Sequence, residues 1–118
     1  MKEVYGGVRQ VTLTAADLTS SRAFYADRLG FSVIDEEPGR FVRINLGTFR
    51  LRIVGPGPDG PTRPGTLTFT FRVAHLRRTA EELERRSVGF ESESMRNGTD
   101  QLITHDPDGV RLVFVERL

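Results

Sequence analysis

The chain states its pattern twice. Ala16-Asp17-Leu18 recurs as Ala74-His75-Leu76, and Leu29-Gly30-Phe31 recurs as Val88-Gly89-Phe90. Leu18 and Leu76 are 58 residues apart and Gly30 and Gly89 are 59 apart, half of a 118-residue chain. A duplication of that period confines the fold to two copies of one supersecondary unit. Each copy opens as a strand, because Val11 and Leu13 alternate with Thr12 and Thr14, and Thr68 to Val73 alternates likewise. Asp17 then suits an N-cap, and Leu18, Ala23, Phe24 and Leu29 supply an apolar helical face. Gly30 stands where a left-handed residue ends a helix.

In chain order, the pattern predicts a strand over Val4 to Thr14, a helix over Leu18 to Leu29, and a strand from Phe31 to Ile34. Glu36-Glu37-Pro38-Gly39 reads as a turn, and Phe41 to Leu46 and Phe49 to Val54 as a hairpin about Gly47-Thr48. Gly55 to Gly65 holds four prolines and four glycines and reads as a linker of moderate stiffness. The second unit follows with a helix over Leu76 to Ser87 and strands over Phe90 to Met95, Gln101 to Thr104 and Arg111 to Val115. Asn97-Gly98 signals a hairpin, and Asp106-Pro107-Asp108-Gly109 suits a type I turn. The expected organisation is one α+β domain over residues 1–118, with tandem βαβββ modules at about 4–54 and 66–118 joined by linker 55–65.

Modules of roughly 60 residues bury little surface alone, so they should share a core or complete it in a dimer. The chain has no cysteine, which removes disulfides and thiolate chemistry. Its net charge of +1 gives no nucleic-acid footprint. No apolar run reaches the ~18 residues of a membrane span. The opening MKEVYGG lacks a secretory apolar region, so a cytoplasmic location is expected. Sixteen of the seventeen basic residues are arginine, a planar group suited to carboxylate or phosphate.

Asp17-Leu18, Phe24-Tyr25, Leu29-Gly30-Phe31 and Asp106-Pro107-Asp108-Gly109, in that order, resemble the vicinal oxygen chelate superfamily. This superfamily includes glyoxalase I, bleomycin resistance proteins, fosfomycin resistance enzymes, extradiol dioxygenases and methylmalonyl-CoA epimerases. The resemblance implies paired modules curving a mixed sheet around a cleft, and a homodimer, often formed by exchanging modules. It also implies a divalent metal held by His or Glu at four equivalent points, which here carry Gln10, Arg52, Thr68 and Val113. Only Gln10 is even a weak ligand, and an arginine repels a cation. No metal and no cofactor are therefore expected. His75 replaces a helix cap and His105 precedes a turn, without ligand spacing.

Alternation predicts what lines the cleft instead. With Val11 and Leu13 facing the helix, Gln10, Thr12 and Thr14 face away. Thr66, Thr68, Thr70 and Arg72 do the same in the second unit, as do Arg50 and Arg52, and Phe41, Arg43 and Asn45. Arg50 and Arg52, i and i+2 on one strand, stand about 7 Å apart and could bracket one anionic group. Phe41 offers a stacking surface on that polar side. The expected ligand-binding set is Gln10, Thr12, Phe41, Arg43, Arg50, Arg52, Thr68, Thr70 and Arg111, with no residue assigned to catalysis or metal. Tyr25 reads as a core aromatic. Two functions follow: a small-molecule binder resembling bleomycin resistance proteins, for an anionic, polyhydroxylated or aromatic metabolite or antibiotic, or a metal-independent lyase, isomerase or cyclase. The second needs a base, for which Asp35, Glu36 and Glu37 are the candidates.

Overall fold

The computed structural model describes residues 5–94, 96 and 98–116. Strand β1 (Gln10–Thr14) leads into α1 (Leu18–Arg22), a π-helical segment (Ala23–Arg28), and strands β2 (Val33–Glu37), β3 (Phe41–Asn45) and β4 (Arg50–Val54). The second unit comprises β5 (Thr68–Arg72), α2 (Leu76–Arg85), β6 (Glu91–Ser94), β7 (Asp100–His105) and β8 (Arg111–Val115). The two four-stranded sheets run β1-β4-β3-β2 and β5-β8-β7-β6, the same order twice. In each, the first and last strands pair parallel and the other pairs are antiparallel. This is the expected α+β arrangement of tandem βαβββ units.

Several boundaries move. Residues 5–9 are not strand, so β1 begins at Gln10, while the expected start at Val4 lies outside the described residues. Met95 and Asn97, from the sixth strand and the hairpin signal, also lie outside them. Glu36 and Glu37 belong to β2 rather than to a turn, because they pair with Val42 and Phe41. Phe31 precedes that strand and stacks on Phe71 instead, at 5.5 Å.

The helix expected over residues 18–29 changes pitch halfway. Asp17 caps it through Thr19 and Ser20 N–H, but from Ala23 the turn widens and Leu29 N–H reaches the Phe24 carbonyl. A wider turn narrows the angle between successive side chains. Phe24 and Tyr25, though adjacent, are thus both buried. Gly30 ends the segment at φ +84, as the sequence suggests.

One apolar cluster spans both units, from Leu13, Ile44 and Leu51 to Phe69, Leu112 and Phe114. The linker is tied to both sides. Thr62 exchanges hydrogen bonds with Thr14, donating to its carbonyl at 2.8 Å and accepting its N–H on the hydroxyl at 3.0 Å. Pro64 lies against Gly109, where a Cβ would come within 2.9 Å of its ring. The radius of gyration is 15.1 Å, against about 13.5 Å for a compact domain of this length. The extents, 44 × 42 × 25 Å, describe a flattened body. The helix-free face of its first sheet is partly open, with Gln10, Thr12, Asn45 and Arg50 exposed.

Candidate functional site

Side chains opposite one another across a sheet share a face, so the register builds the helix-free surface row by row. On the first sheet the rows are Gln10–Arg50–Asn45, Thr12–Arg52–Arg43–Asp35 and Thr14–Val54–Phe41–Glu37. The alternation that produced the expected set is therefore observed: Leu13, Val42, Ile44, Leu51 and Ile53 are buried on the other side. The register brings Gln10, Thr12, Phe41, Arg43, Arg50 and Arg52 onto one surface. Thr68, Thr70 and Arg111 lie on the second sheet, in the rows Thr68–Arg111–His105 and Thr70–Val113–Ile103–Glu91.

The electrostatics of the first surface are unbalanced. Arg43 and Arg52 are direct cross-strand partners, an arrangement of like charges that repels. Only Arg43 is neutralised. Its guanidinium grips Asp35 through two hydrogen bonds, one of 2.6 Å. That contact outweighs the opposing effect of desolvation and, helped by the charges of Arg43 and Arg50, holds the Asp35 carboxyl below the usual range; the same contact raises Arg43. Arg52 instead lies over the Phe41 ring, 5.6 Å from its centroid. Arg50 and Arg52 form no ion pair among the described residues.

Beside them is a cavity of about 670 Å³ lined by Arg9, Gln10, Ile34, Asn45, Phe49 and Arg50. A second hollow, of about 530 Å³, lies between the β3–β4 turn and Thr68, Thr70 and Arg72. Gly47, Thr48 and Phe49 line both, so that turn is their common wall. Gly47 sits there at φ +110, a conformation suited to glycine.

The second sheet's open face differs from what alternation within β5 suggested. Ile103, Val113 and Val115 are buried there as a separate apolar cluster, and Glu91 and Glu93 lie in their rows. The signal was available: Leu112-Val113-Phe114-Val115 is an unbroken apolar run, which marks a strand covered on both faces.

The three candidate bases are all occupied. Glu36 points to the helix side and accepts two bonds from Arg22, at 2.7 and 2.9 Å, which hold its carboxyl low. Asp35 belongs to Arg43, and Glu37 accepts from Arg40 at 3.1 Å. A general base needs a pKa raised toward neutrality, and Asp35 and Glu36 move the other way. Tyr25 is fully buried and donates to Asp106 Oδ2 at 2.8 Å; burial above all, with Asp106 and Asp108, pushes its pKa far up. His105 is exposed beside Arg111, and His75 stands at the N-cap of α2 without a side-chain capping bond.

The four positions that would carry a metal also come into view. Gln10 and Thr68 are exposed, Arg52 is half-buried and Val113 is buried. An amide, a hydroxyl, a guanidinium and an isopropyl group do not make a donor set for a divalent ion. Among the described residues, no three His, Asp or Glu side chains cluster as ligands elsewhere.

Fold and site together define a paired βαβββ protein whose first sheet carries a recess lined by arginine, amide and apolar side chains. A sequence profile of the Glyoxalase/Bleomycin resistance protein/Dioxygenase superfamily matches residues 7–114. The chain belongs to that superfamily. Among solved structures, it is similar to a lactoylglutathione lyase from Agrobacterium tumefaciens, with 20% identity, TM-score 0.74, and 96% and 95% of the two chains covered. It is also similar to an antibiotic binding protein from a Streptomyces species, with 21% identity, TM-score 0.77 and coverage of 95% and 96%. A glyoxalase family protein from Enterococcus faecalis gives 23% identity, TM-score 0.78 and coverage of 95% and 98%. These likenesses establish the fold. No curated protein matches the chain in sequence. No helix among the described residues is long and apolar enough to cross a membrane.

Proposed function

We propose that this protein is a metal-free binder of a small anionic molecule with an aromatic or hydroxylated body. The single observation that carries the reading is that Arg50 and Arg52 form no ion pair among the described residues, while Arg52 stands opposite Arg43 and Asp35, whose carboxylate feels both Arg43 and Arg50, is bonded to Arg43. An anion bound there relieves the repulsion and gains charge-assisted hydrogen bonds. Phe41 supplies a ring face, and Gln10 and Thr12 supply neutral partners on the same surface. The antibiotic binding protein of like fold lends support to an antibiotic or a related metabolite as ligand. A homodimer is part of the reading, since it would cover the helix-free face of the first sheet, which one flattened chain leaves partly open. Catalysis without metal, the second reading, lacks a poised base in Asp35, Glu36 or Glu37.

The test is a thermal-shift screen against carboxylated and phosphorylated aromatic compounds, in the presence and absence of chelator. Stabilisation insensitive to chelator, with no product by NMR, is the expected result. Arg52→Ala should weaken binding of a hit about tenfold while leaving the melting temperature within about 2 °C. Unfolding of that variant would make Arg52 structural, and a stoichiometric divalent ion required for binding would end the metal-free reading. Small-angle scattering showing a monomer at micromolar concentration would remove the dimer.

A further inference from the structure

The two helices present equivalent surfaces, and the fold treats them differently. Ala16, Ser21 and Tyr25 at α1 correspond to Ala74, Thr79 and Leu83 at α2, each pair 58 residues apart. At α1 the β7–β8 turn covers the surface. Asp108 accepts from the Ala16 N–H at 3.3 Å and from the Ser21 hydroxyl at 3.5 Å, while Asp106 receives Tyr25.

At α2 no such turn arrives; the carboxylate that reaches the helix start is Glu116, which accepts the Leu76 N–H at 2.8 Å, two residues past Ala74. The matching β3–β4 turn is shorter: Leu46 N–H bonds the Phe49 carbonyl, where Asp106 N–H bonds that of Val110. Leu46 holds the place of Asp106, and Gly47-Thr48 offers no carboxylate. Over Ala74, Thr79 and Leu83 there is instead a cavity of about 500 Å³, with Leu29, Phe31 and Phe114 completing its apolar floor. Phe31, Phe71 and Phe114 stack in sequence at 5.5 and 5.3 Å, so that floor is built on a fixed aromatic column. His75 and Arg78 stand at the rim. The Ala74 N–H, unlike its bonded counterpart at Ala16, has no partner among the described residues, and Arg78 forms no ion pair there. The remaining charges are spent on each other, since Glu82 binds Arg85 and Arg86.

We propose that this groove binds a small amphipathic carboxylic acid, its apolar body on the Phe31–Phe114 floor and its carboxylate toward the Ala74 N–H, His75 and Arg78. The carboxylate takes the place that Asp108 fills at α1. An apolar recess with a few convergent polar groups is the usual form of a ligand site. This one lies on the helix side of the second unit and is independent of Arg50 and Arg52.

The test is an amide-resolved NMR titration of the full chain with 4-phenylbutyrate, and with 4-phenylbutanol as its neutral counterpart. Shifts should centre on Ala74, His75, Thr79 and Phe31. The carboxylate should bind more tightly than the alcohol, and Arg78→Ala should weaken it about fivefold. Thr79→Phe, which fills the recess, should abolish it. The proposal falls if those amides stay still at millimolar probe, if the alcohol binds equally well, or if Arg78→Ala changes nothing. Shifts confined to Gln10, Asn45 and Arg50 would also refute it, while supporting the other site.

Discussion

Removing the Tyr25 hydroxyl tests how the two halves are held together. Tyr25 is wholly buried on the first unit, and its hydroxyl donates across the junction to Asp106, 6% exposed, at 2.8 Å. The other Asp106 oxygen accepts the Asp108 and Val110 N–H groups, at 2.8 and 2.9 Å, so the carboxylate also shapes its own turn. Tyr25→Phe keeps the ring and its edge-on contact with Phe24 but leaves one carboxylate oxygen short of a donor. A hydrogen bond to a charged group is worth about 1.5–3 kcal/mol. For 118 residues, an unfolding entropy of about 0.25 kcal/mol/K converts a loss of about 2 kcal/mol into about 8 °C of melting temperature. Thermal unfolding followed by circular dichroism at neutral pH measures this directly. A fall of less than about 2 °C would refute the claim that this bond secures the junction. Asp106→Asn sharpens the result. Its amide oxygen still accepts the turn N–H groups and its nitrogen can donate to the tyrosine oxygen, so the loss should be about half as large. A larger loss would place the importance of Asp106 in its turn rather than in Tyr25.

The same hydroxyl makes an alkaline prediction. Its folded pKa lies above the unfolded value, so its contribution is complete below about pH 10 and is lost as pH rises toward the folded value. In a Tyr5→Phe background, tyrosinate absorbance should therefore appear only together with loss of native circular dichroism, and its appearance in the folded state would contradict the burial. Ser87, at φ +58, holds a left-handed position after α2. Ser87→Gly should raise stability by about 0.5–1 kcal/mol, seen as about 2–4 °C, and a decrease would show that the serine side chain matters there. Asp35→Asn releases Arg43 and should tighten binding of an anionic hit about threefold at low salt, fading as salt rises. Unchanged affinity in isothermal titration would exclude Arg43 from the ligand's field.

The sequence by itself determined the duplication, the element types and the facing of most side chains. Period-two alternation is enforced by the pleat, so Leu51 and Ile53 had to oppose Arg50 and Arg52 once β4 existed. The turn at Asp106-Pro107-Asp108-Gly109 and the ending at Gly30 are likewise local backbone requirements, readable without a partner. Only the tertiary structure decided which charges cancel. Nothing in the chain order says that Asp35 meets Arg43 while Arg52 meets a phenylalanine, because that depends on a register set across three strands. It also decided that Asp106 reaches 81 residues back to Tyr25, and that the second helix keeps an uncovered groove where the first is filled. Pairings between distant segments are fixed by how two sheets pack, and packing is a property of the assembled core.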